Sequence, residues 1–197
     1  MADVDRLSKQ LQFIIELDKL KSVYRRTYLI DADRRENSAE HSWHLGLLAM
    51  VLSEYSNEPV DTCKVVKMVL IHDVVEIDAG DTYIYDAQGN KLERERIAAE
   101  RIFGMLPSDQ AEEFRNLWEE FESRATPEAR FASALDRFIP QLHNFHTEGR
   151  SWREHGITAE LILARNAEIS YGSETLWHWT QVLIDDAITK GILLRKA

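Results

Sequence analysis

The sequence predicts an all-α fold. Helical periodicity of apolar residues runs from end to end, only 8 glycines and 4 prolines punctuate 197 residues, and period-two alternation of β-branched residues is nearly absent. No Pro/Gly/Ser-rich stretch separates two folded units, so the chain reads as a single compact multi-helix domain over residues 1–197. A domain of this length buries roughly 70% of the surface its unfolded chain exposes, enough to carry a polar, water-containing site without disulfide staples.

The first helix is expected over residues 4–20, with Leu7, Leu11, Ile14, Ile15 and Leu17 forming one apolar stripe. A polar loop over residues 25–36 follows. Asn37 or Ser38 can cap the second helix, which is expected to carry Trp43, Leu47, Leu48, Val51 and Leu52 inward. Pro59 fits the first position of a third helix, running through Val65, Val66, Val69, Leu70 and Ile71 to about Val75. Both helices are expected to be deeply buried. Residues 77–90 read as a loop with turn signals at Gly80, around Asp86 and at Gly89-Asn90, and so long an excursion is often functional. A charged helix resumes near Leu92 and ends around Gly104. Ser108 and Thr126-Pro127 look like caps for helices over residues 109–123 and 127–145, and two more are expected over residues 157–170 and 174–189.

Charge and cysteine usage exclude several function classes. With 34 acidic against 24 basic residues the net charge is −10, which disfavours a polynucleotide partner. A small anionic substrate stays open, because local arginines, backbone amides or a bound cation override the global field at short range. Cys63 is the lone cysteine, so neither an internal disulfide nor a structural cysteine-zinc site can form, and a reducing compartment fits. No N-terminal segment resembles a signal peptide and no apolar run approaches the length of a membrane span. A cytoplasmic protein without a membrane partner is expected.

Three polar interruptions of apolar helices carry the chemistry. The first is Ile71-His72-Asp73-Val74-Val75-Glu76, near the end of the third helix. Adjacent helical residues point about 100° apart, so His72 and Asp73 reach one metal only where the helix meets the site obliquely or is ending. Alone, such a dipeptide is more often a core histidine beside a surface aspartate. The second interruption, Glu40-His41-Ser42-Trp43-His44, and the third, in which Asp136 breaks Ala134-Leu135-Asp136-Arg137-Phe138-Ile139, shift that balance, since a metal site needs ligands converging from several elements. Two imidazoles and two carboxylates suit Mn²⁺, Fe²⁺, Co²⁺, Ni²⁺ or Zn²⁺ better than Ca²⁺, Mg²⁺ remains a candidate, and coordination positions are left open for water and substrate.

The order His41, His72-Asp73, Asp136 resembles the signature of the HD-domain phosphohydrolases, an all-helical superfamily of metal-dependent phosphomonoesterases and phosphodiesterases. Glu36-Asn37-Ser38-Ala39-Glu40-His41-Ser42 and the stretch from His72 to Asp81 look like the branch of 5′-deoxynucleotidases, and Trp118-Glu119-Glu120-Phe121-Glu122 with Thr126-Pro127-Glu128-Ala129 is similar to the form of that branch in eukaryotes and many bacteria. The resemblance implies His41, His72, Asp73 and Asp136 as ligands of a divalent cation and Glu76 as a catalytic glutamate. In some members the positions of Glu76, Asp81 and Thr82 hold a second cation. It also implies Arg26 and Thr27 as substrate contacts, with Arg25 competing for the phosphate; the family's bacterial form has tryptophan where this chain has Thr27, a departure that bears on base or sugar recognition. The family commonly forms dimers.

Other features read as structural. Four ligands suffice without His143 and His146, which helical rise places roughly 10 Å beyond Asp136; His44, one turn after His41, is either an outer partner of that ligand or a packing residue. His155 and His178 have no supporting neighbours in sequence. The tryptophans, among them Trp152, Trp177 and Trp179, read as core or subunit contacts, and the run from Glu93 to Glu100 as a solvated, salt-bridged face. The expected function is hydrolysis of 2′-deoxyribonucleoside 5′-monophosphates. The alternatives are another nucleotide phosphate bond (a cyclic dinucleotide, a triphosphate or an alarmone) and a non-catalytic binding protein on the same fold.

Overall fold

A computed structural model describes residues 2–82, 85 and 90–195. Helix α1 (Ala2–Leu17) leads through a tighter helical turn, Asp18–Ser22, into a two-stranded antiparallel hairpin, β1 (Tyr24–Tyr28) and β2 (Arg35–Asn37), in which Tyr24 pairs with Asn37 and Tyr28 with Arg35. The segment read as a polar loop is therefore a hairpin; its five- and three-residue strands are too short and too charged to show alternation. Helix α2 (Ser38–Leu52) begins with a capping box: Asn37 Oδ1 accepts from the Glu40 amide at 2.9 Å while the Asn37 amide donates to Glu40 Oε2 at 3.2 Å.

Helix α3 (Thr62–Ile71) starts three residues after Pro59, capped by Asp61, whose carboxylate accepts from the Cys63 and Lys64 amides. A capping carboxylate satisfies two orphan amides, which a proline cannot do. The helix tightens into a 3₁₀ turn over His72–Val75, and α4 (Glu76–Ala79) stops at Gly80, whose φ of 74° favours glycine. The expected turns at Asp86 and Gly89 lie outside the described residues. Beyond them come α5 (Lys91–Phe103), α6 (Ser108–Ser123), α7 (Pro127–His146), α8 (Arg150–Glu154), α9 (Ala159–Asn166), α10 (Ile169–Gly172) and α11 (Glu174–Thr189). Thr126 caps α7 with Pro127 in its first turn, whereas Ser108 makes no capping bond.

Helix α7 is the central element. Phe131, Leu135, Phe138 and Ile139 pack with Leu45 and Ala49 of α2, Val65, Met68 and Val69 of α3, and Ile169 and Leu176 from α10 and α11. The approach of α10 is close: a Cβ on Gly172 would stand 2.2 Å from the Arg130 carbonyl oxygen. On the other side of α3, Ile71, Val74 and Val75 join Phe13, Ile102, Phe103 and Trp118 in a second cluster. The His72–Val75 turn is thus wedged between two apolar clusters, which fixes its side chains. Pro140 interrupts the backbone ladder of α7, because it has no amide to give to the carbonyl of Asp136 one turn earlier.

Two burial expectations are corrected. The α1 stripe of Leu7, Leu11, Ile14 and Ile15 is exposed, and Phe13 and Leu20 make the inward contacts. On α2, Trp43 (62% exposed), Leu47 and Val51 face outward with Met50, while Leu45 and Ala49 fill the core and Leu48 and Leu52 pack at its margin. A helix that is apolar all round gives no periodic signal to tell its inner face from its outer one.

Candidate active site

The buried face of α2 carries His41, fully buried one turn beyond the cap. His72 opens the 3₁₀ turn, where the narrower helix brings Asp73 beside it, and Asp136 enters from the middle of α7. The structure brings all four together. Asp136 Oδ1 lies 2.9 Å from His41 Nε2 and 3.7 Å from His72 Nε2, while Asp73 lies 3.0 Å from His72 Nε2 through Oδ1 and 4.0 Å from His41 Nε2 through Oδ2.

The tautomer of His72 follows from geometry. Its Nδ1 sits 2.9 Å from the Val69 carbonyl oxygen, which can only accept, so Nδ1 keeps its proton and, whenever the ring is neutral, the Nε2 lone pair points at the two carboxylates. That Nε2 is buried with no hydrogen-bond partner among the described residues. His41, His72 and Asp73 offer ligand atoms that all lie within 4.8 Å of one another, a donor set that fits a divalent cation, and Asp136 Oδ1 approaches both rings from the side of α7.

Arg25, on β1, occupies the middle of this acidic ring. Its Nη1 donates to Asp73 Oδ2 at 2.7 Å and stands 3.8 Å from Asp81 Oδ1, and its Nη2 is 3.7 Å from Asp136 Oδ1. Behind His41, the buried Glu36 of β2 places Oε2 3.5 Å from His41 Nδ1 and 3.8 Å from Arg25 Nε. Glu76 begins α4 at the cleft wall and accepts a hydrogen bond from Ser38 Oγ at 2.7 Å. Although the 3₁₀ turn removes the simple one-turn spacing between His72 and Glu76, both line the same cavity.

Burial opposes ionisation throughout, and neighbouring charges decide each outcome. Burial alone would raise the Asp73 carboxyl, but the His72 ring and Arg25 hold it at about 2. Asp136 is likewise driven well below the usual carboxylate range, against its burial, by its hydrogen bond with His41 and by the nearby His72 ring. Burial and the charge of Asp73 push Glu76 well above that range, and burial raises Asp81. His72 is raised well above the ordinary imidazole value because Asp73 and Asp136 outweigh its burial. His41 is raised too, its burial and the charge of Arg25 being outweighed by Asp136 and Glu36. The carboxylates thus favour the charged forms of His41, His72 and Arg25, and a cation bound here would have to displace the ring protons.

A cleft of about 500 Å³ opens from this cluster, a size suited to a nucleotide. Arg26, Thr27, Asp81 and Thr82 line it with His72, Asp73, Glu76 and Asp136. Sequence reasoning missed several of its features. Arg25, expected only as a competitor of Arg26 for the phosphate, is nearly buried among Asp73, Asp81 and Asp136, which nothing in the sequence signals. Trp152 is core as expected, 1% exposed, and also lines the cleft, whereas Glu95, read as part of a solvated face, is 5% exposed and pairs with Lys91 at 3.4 Å on the cleft wall. The rest of that run does form surface pairs, such as Arg115 with Glu100 at 2.5 Å. Arg124 and Arg137 close the far end, sharing Glu168. His143, read as structural, lies buried beside Glu36, its Nδ1 3.8 Å from Glu36 Oε1; His146 is exposed.

Comparison with known proteins agrees with this geometry. Residues 17–177 match the model of a family described as HD domain. The 5'-deoxynucleotidase HDDC2 of Danio rerio is 29% identical over 153 residues, covering 75% of each chain. Its Homo sapiens counterpart is 31% identical over 130 residues, which span 64% of this chain and 62% of that protein. A crystal structure from Magnetospirillum magnetotacticum MS-1, described as a predicted metal-dependent phosphohydrolase, is 51% identical, with a TM-score of 0.91 and 95% of each chain covered. With the matched model spanning most of its length, including every residue of the His41, His72, Asp73 and Asp136 cluster, the chain belongs to the HD-domain family.

Proposed function

We propose that this chain hydrolyses 2′-deoxyribonucleoside 5′-monophosphates to deoxynucleoside and inorganic phosphate, as one domain, with His41, His72, Asp73 and Asp136 as the ligands of a divalent cation. The chain is a metal-dependent phosphohydrolase. The observation that carries this reading is the bare Nε2 of His72, locked in its tautomer by Val69 and facing Asp73, Asp136 and His41. The deoxynucleotide substrate is supported by the names of the zebrafish and human relatives.

When bound, the cation supplies Lewis acidity and lowers the pKa of water towards neutrality. Asp73 and Asp136, ionised at neutral pH, offer it negative oxygens. Burial and the charge of Asp73 favour the protonated form of Glu76, whose carboxyl group would then give a proton to the departing 5′ oxygen; alternatively Glu76, Asp81 and Thr82 would hold a second cation. The guanidinium forks of Arg25 and Arg26 meet the phosphate, and Thr27 contacts the nucleoside side of the cleft. Two copies associate through the apolar faces that α1 and α2 leave exposed, since a contiguous set of exposed large apolar side chains such as Trp43, Leu47, Met50 and Val51 is disfavoured in water.

The test is phosphate release by metal-stripped protein resupplied with Mn²⁺, Co²⁺ or Mg²⁺, on deoxy- and ribonucleoside 5′-monophosphates side by side. Release from the deoxy series well above the ribo series is expected. Equal rates would overturn the sugar preference, and no release with any cation would overturn the reaction.

A further inference from the structure

On the far side of the His41 ring from the cleft lies a second cluster with metal-ligand chemistry. Glu36 comes from β2, His44 from α2 and His143 from α7, and their ligand atoms all lie within 4.8 Å of one another. Glu36 is 2% exposed and His143 3% exposed, while His44 is half-buried and leaves one side open to solvent. We propose that Glu36, His44 and His143 form a second, separate cation site, specific for a late first-row divalent ion such as Co²⁺, Ni²⁺ or Zn²⁺.

Three observations support it. First, His143 Nδ1 is buried without a hydrogen-bond partner among the described residues, a costly arrangement unless something else meets it. Second, Glu36 Oε1 and His143 Nδ1 stand 3.8 Å apart, which is too far for a hydrogen bond. Two ligands of one tetrahedral ion with bonds of about 2.1 Å stand roughly 3.4 Å apart, so a small adjustment seats an ion between them. Third, the His44 and His143 rings face the same space with centroids 5.6 Å apart, and one carboxylate with two imidazoles is a borderline-soft donor set that selects late first-row ions over Mg²⁺ or Ca²⁺. Burial also pushes His143 towards its neutral, ligating form.

The two clusters touch at one residue. Glu36 offers Oε1 towards His143 and Oε2 towards His41 Nδ1, so an ion in the second site holds the carboxylate against which the outer nitrogen of His41 rests. His44 and His143 have no part in the cage of His41, His72, Asp73 and Asp136, which allows the two sites to be emptied independently.

The test is cobalt stoichiometry. Tag-free, metal-stripped protein is loaded with Co²⁺, desalted, and measured by elemental analysis and visible absorption, for wild type and for Asp73→Ala, His143→Phe and His44→Ala. Wild type is expected to retain one equivalent more than His143→Phe or His44→Ala, and Asp73→Ala is expected to keep the equivalent and absorption band that the histidine variants lose. Because His44 is half-exposed, its alanine variant carries the test if His143→Phe does not fold. Equal cobalt in wild type and His44→Ala, or no cobalt in Asp73→Ala, would overturn the second site; loss of the first equivalent with retention of the second would localise any failure to the cage instead.

Discussion

Replacing Asp73 by asparagine keeps the shape of the side chain and removes its charge. In the native chain that charge faces Arg25 Nη1 at 2.7 Å and His72 Nε2 at 3.0 Å, in a position 8% exposed. The carboxyl group is held at about 2 instead of the ordinary 3.8, which corresponds to roughly 2 kcal/mol in favour of the ionised form. After the substitution the carboxylates nearest Arg25 are Asp136 at 3.7 Å and Asp81 and Glu36 at 3.8 Å, so the guanidinium stays buried with weaker partners. Breaking a buried pair costs about 3–5 kcal/mol at the upper end. Since 1 kcal/mol moves the midpoint of a domain this size by about 2–4 °C, the metal-free variant should melt roughly 5–15 °C below wild type at pH 7. The contribution of a depressed carboxylate is present above its unfolded pKa and is lost as pH falls through its folded value, so the difference should persist down to about pH 4 and fade towards pH 2. Circular dichroism melts in chelator measure this, and melts with added Co²⁺ measure the ligand role. At a hundredfold excess over Kd the cation should add about 2.7 kcal/mol to wild type and little to the variant. An unchanged melt in chelator would refute the electrostatic account, and equal stabilisation by cobalt would remove Asp73 from the ligand set.

Glu76→Gln should lower phosphate release by about 10²–10⁴-fold while cation stoichiometry, measured by elemental analysis, stays at the wild-type value; loss of an equivalent would instead assign Glu76 to a second cation. A cation must displace protons from His41 and His72, whose pKa values are raised, so its affinity measured by calorimetry should weaken as pH drops below those values, and a flat profile would refute the ligand assignment. The same raised values stabilise the metal-free fold most fully below the unfolded pKa of about 6.5, so without cation the melt should decline as pH rises above neutrality. Trp43→Glu should shift the sedimentation coefficient from dimer to monomer, and a wild-type monomer at micromolar concentration would remove the association altogether.

What could be read in the sequence depended on local signals. The caps at Asn37 and Thr126 and the breaks at Gly80 and Gly104 carry their own short-range chemistry, so the bounds of α2, α5 and α7 follow closely from the residues. His41, His72, Asp73 and Asp136 were legible because each interrupts an apolar helix, where an unpartnered polar group is expensive. Orientation was not legible where apolar residues cover every face, as on α2, or where a stripe is left exposed, as on α1. Glu36 and Arg25 sit in a short charged hairpin that no period distinguishes from a surface loop. Their burial arises only when α2 and α7 pack against it, and His143 is joined to them by the same long-range contact.

The hairpin divides the labour of the site unequally with the helices. His41, His72, Asp73 and Asp136 ride on rigid, mutually packed helical elements, whereas Arg25, Arg26 and Thr27 come from one strand, with Glu36 almost opposite Arg25 on the other. Cage and counter-charge are therefore separate modules of the chain. Under the proposed function, changes confined to those two short strands would alter which phosphate compound is recognised while the packing of α2, α3 and α7 that positions His41, His72, Asp73 and Asp136 is kept.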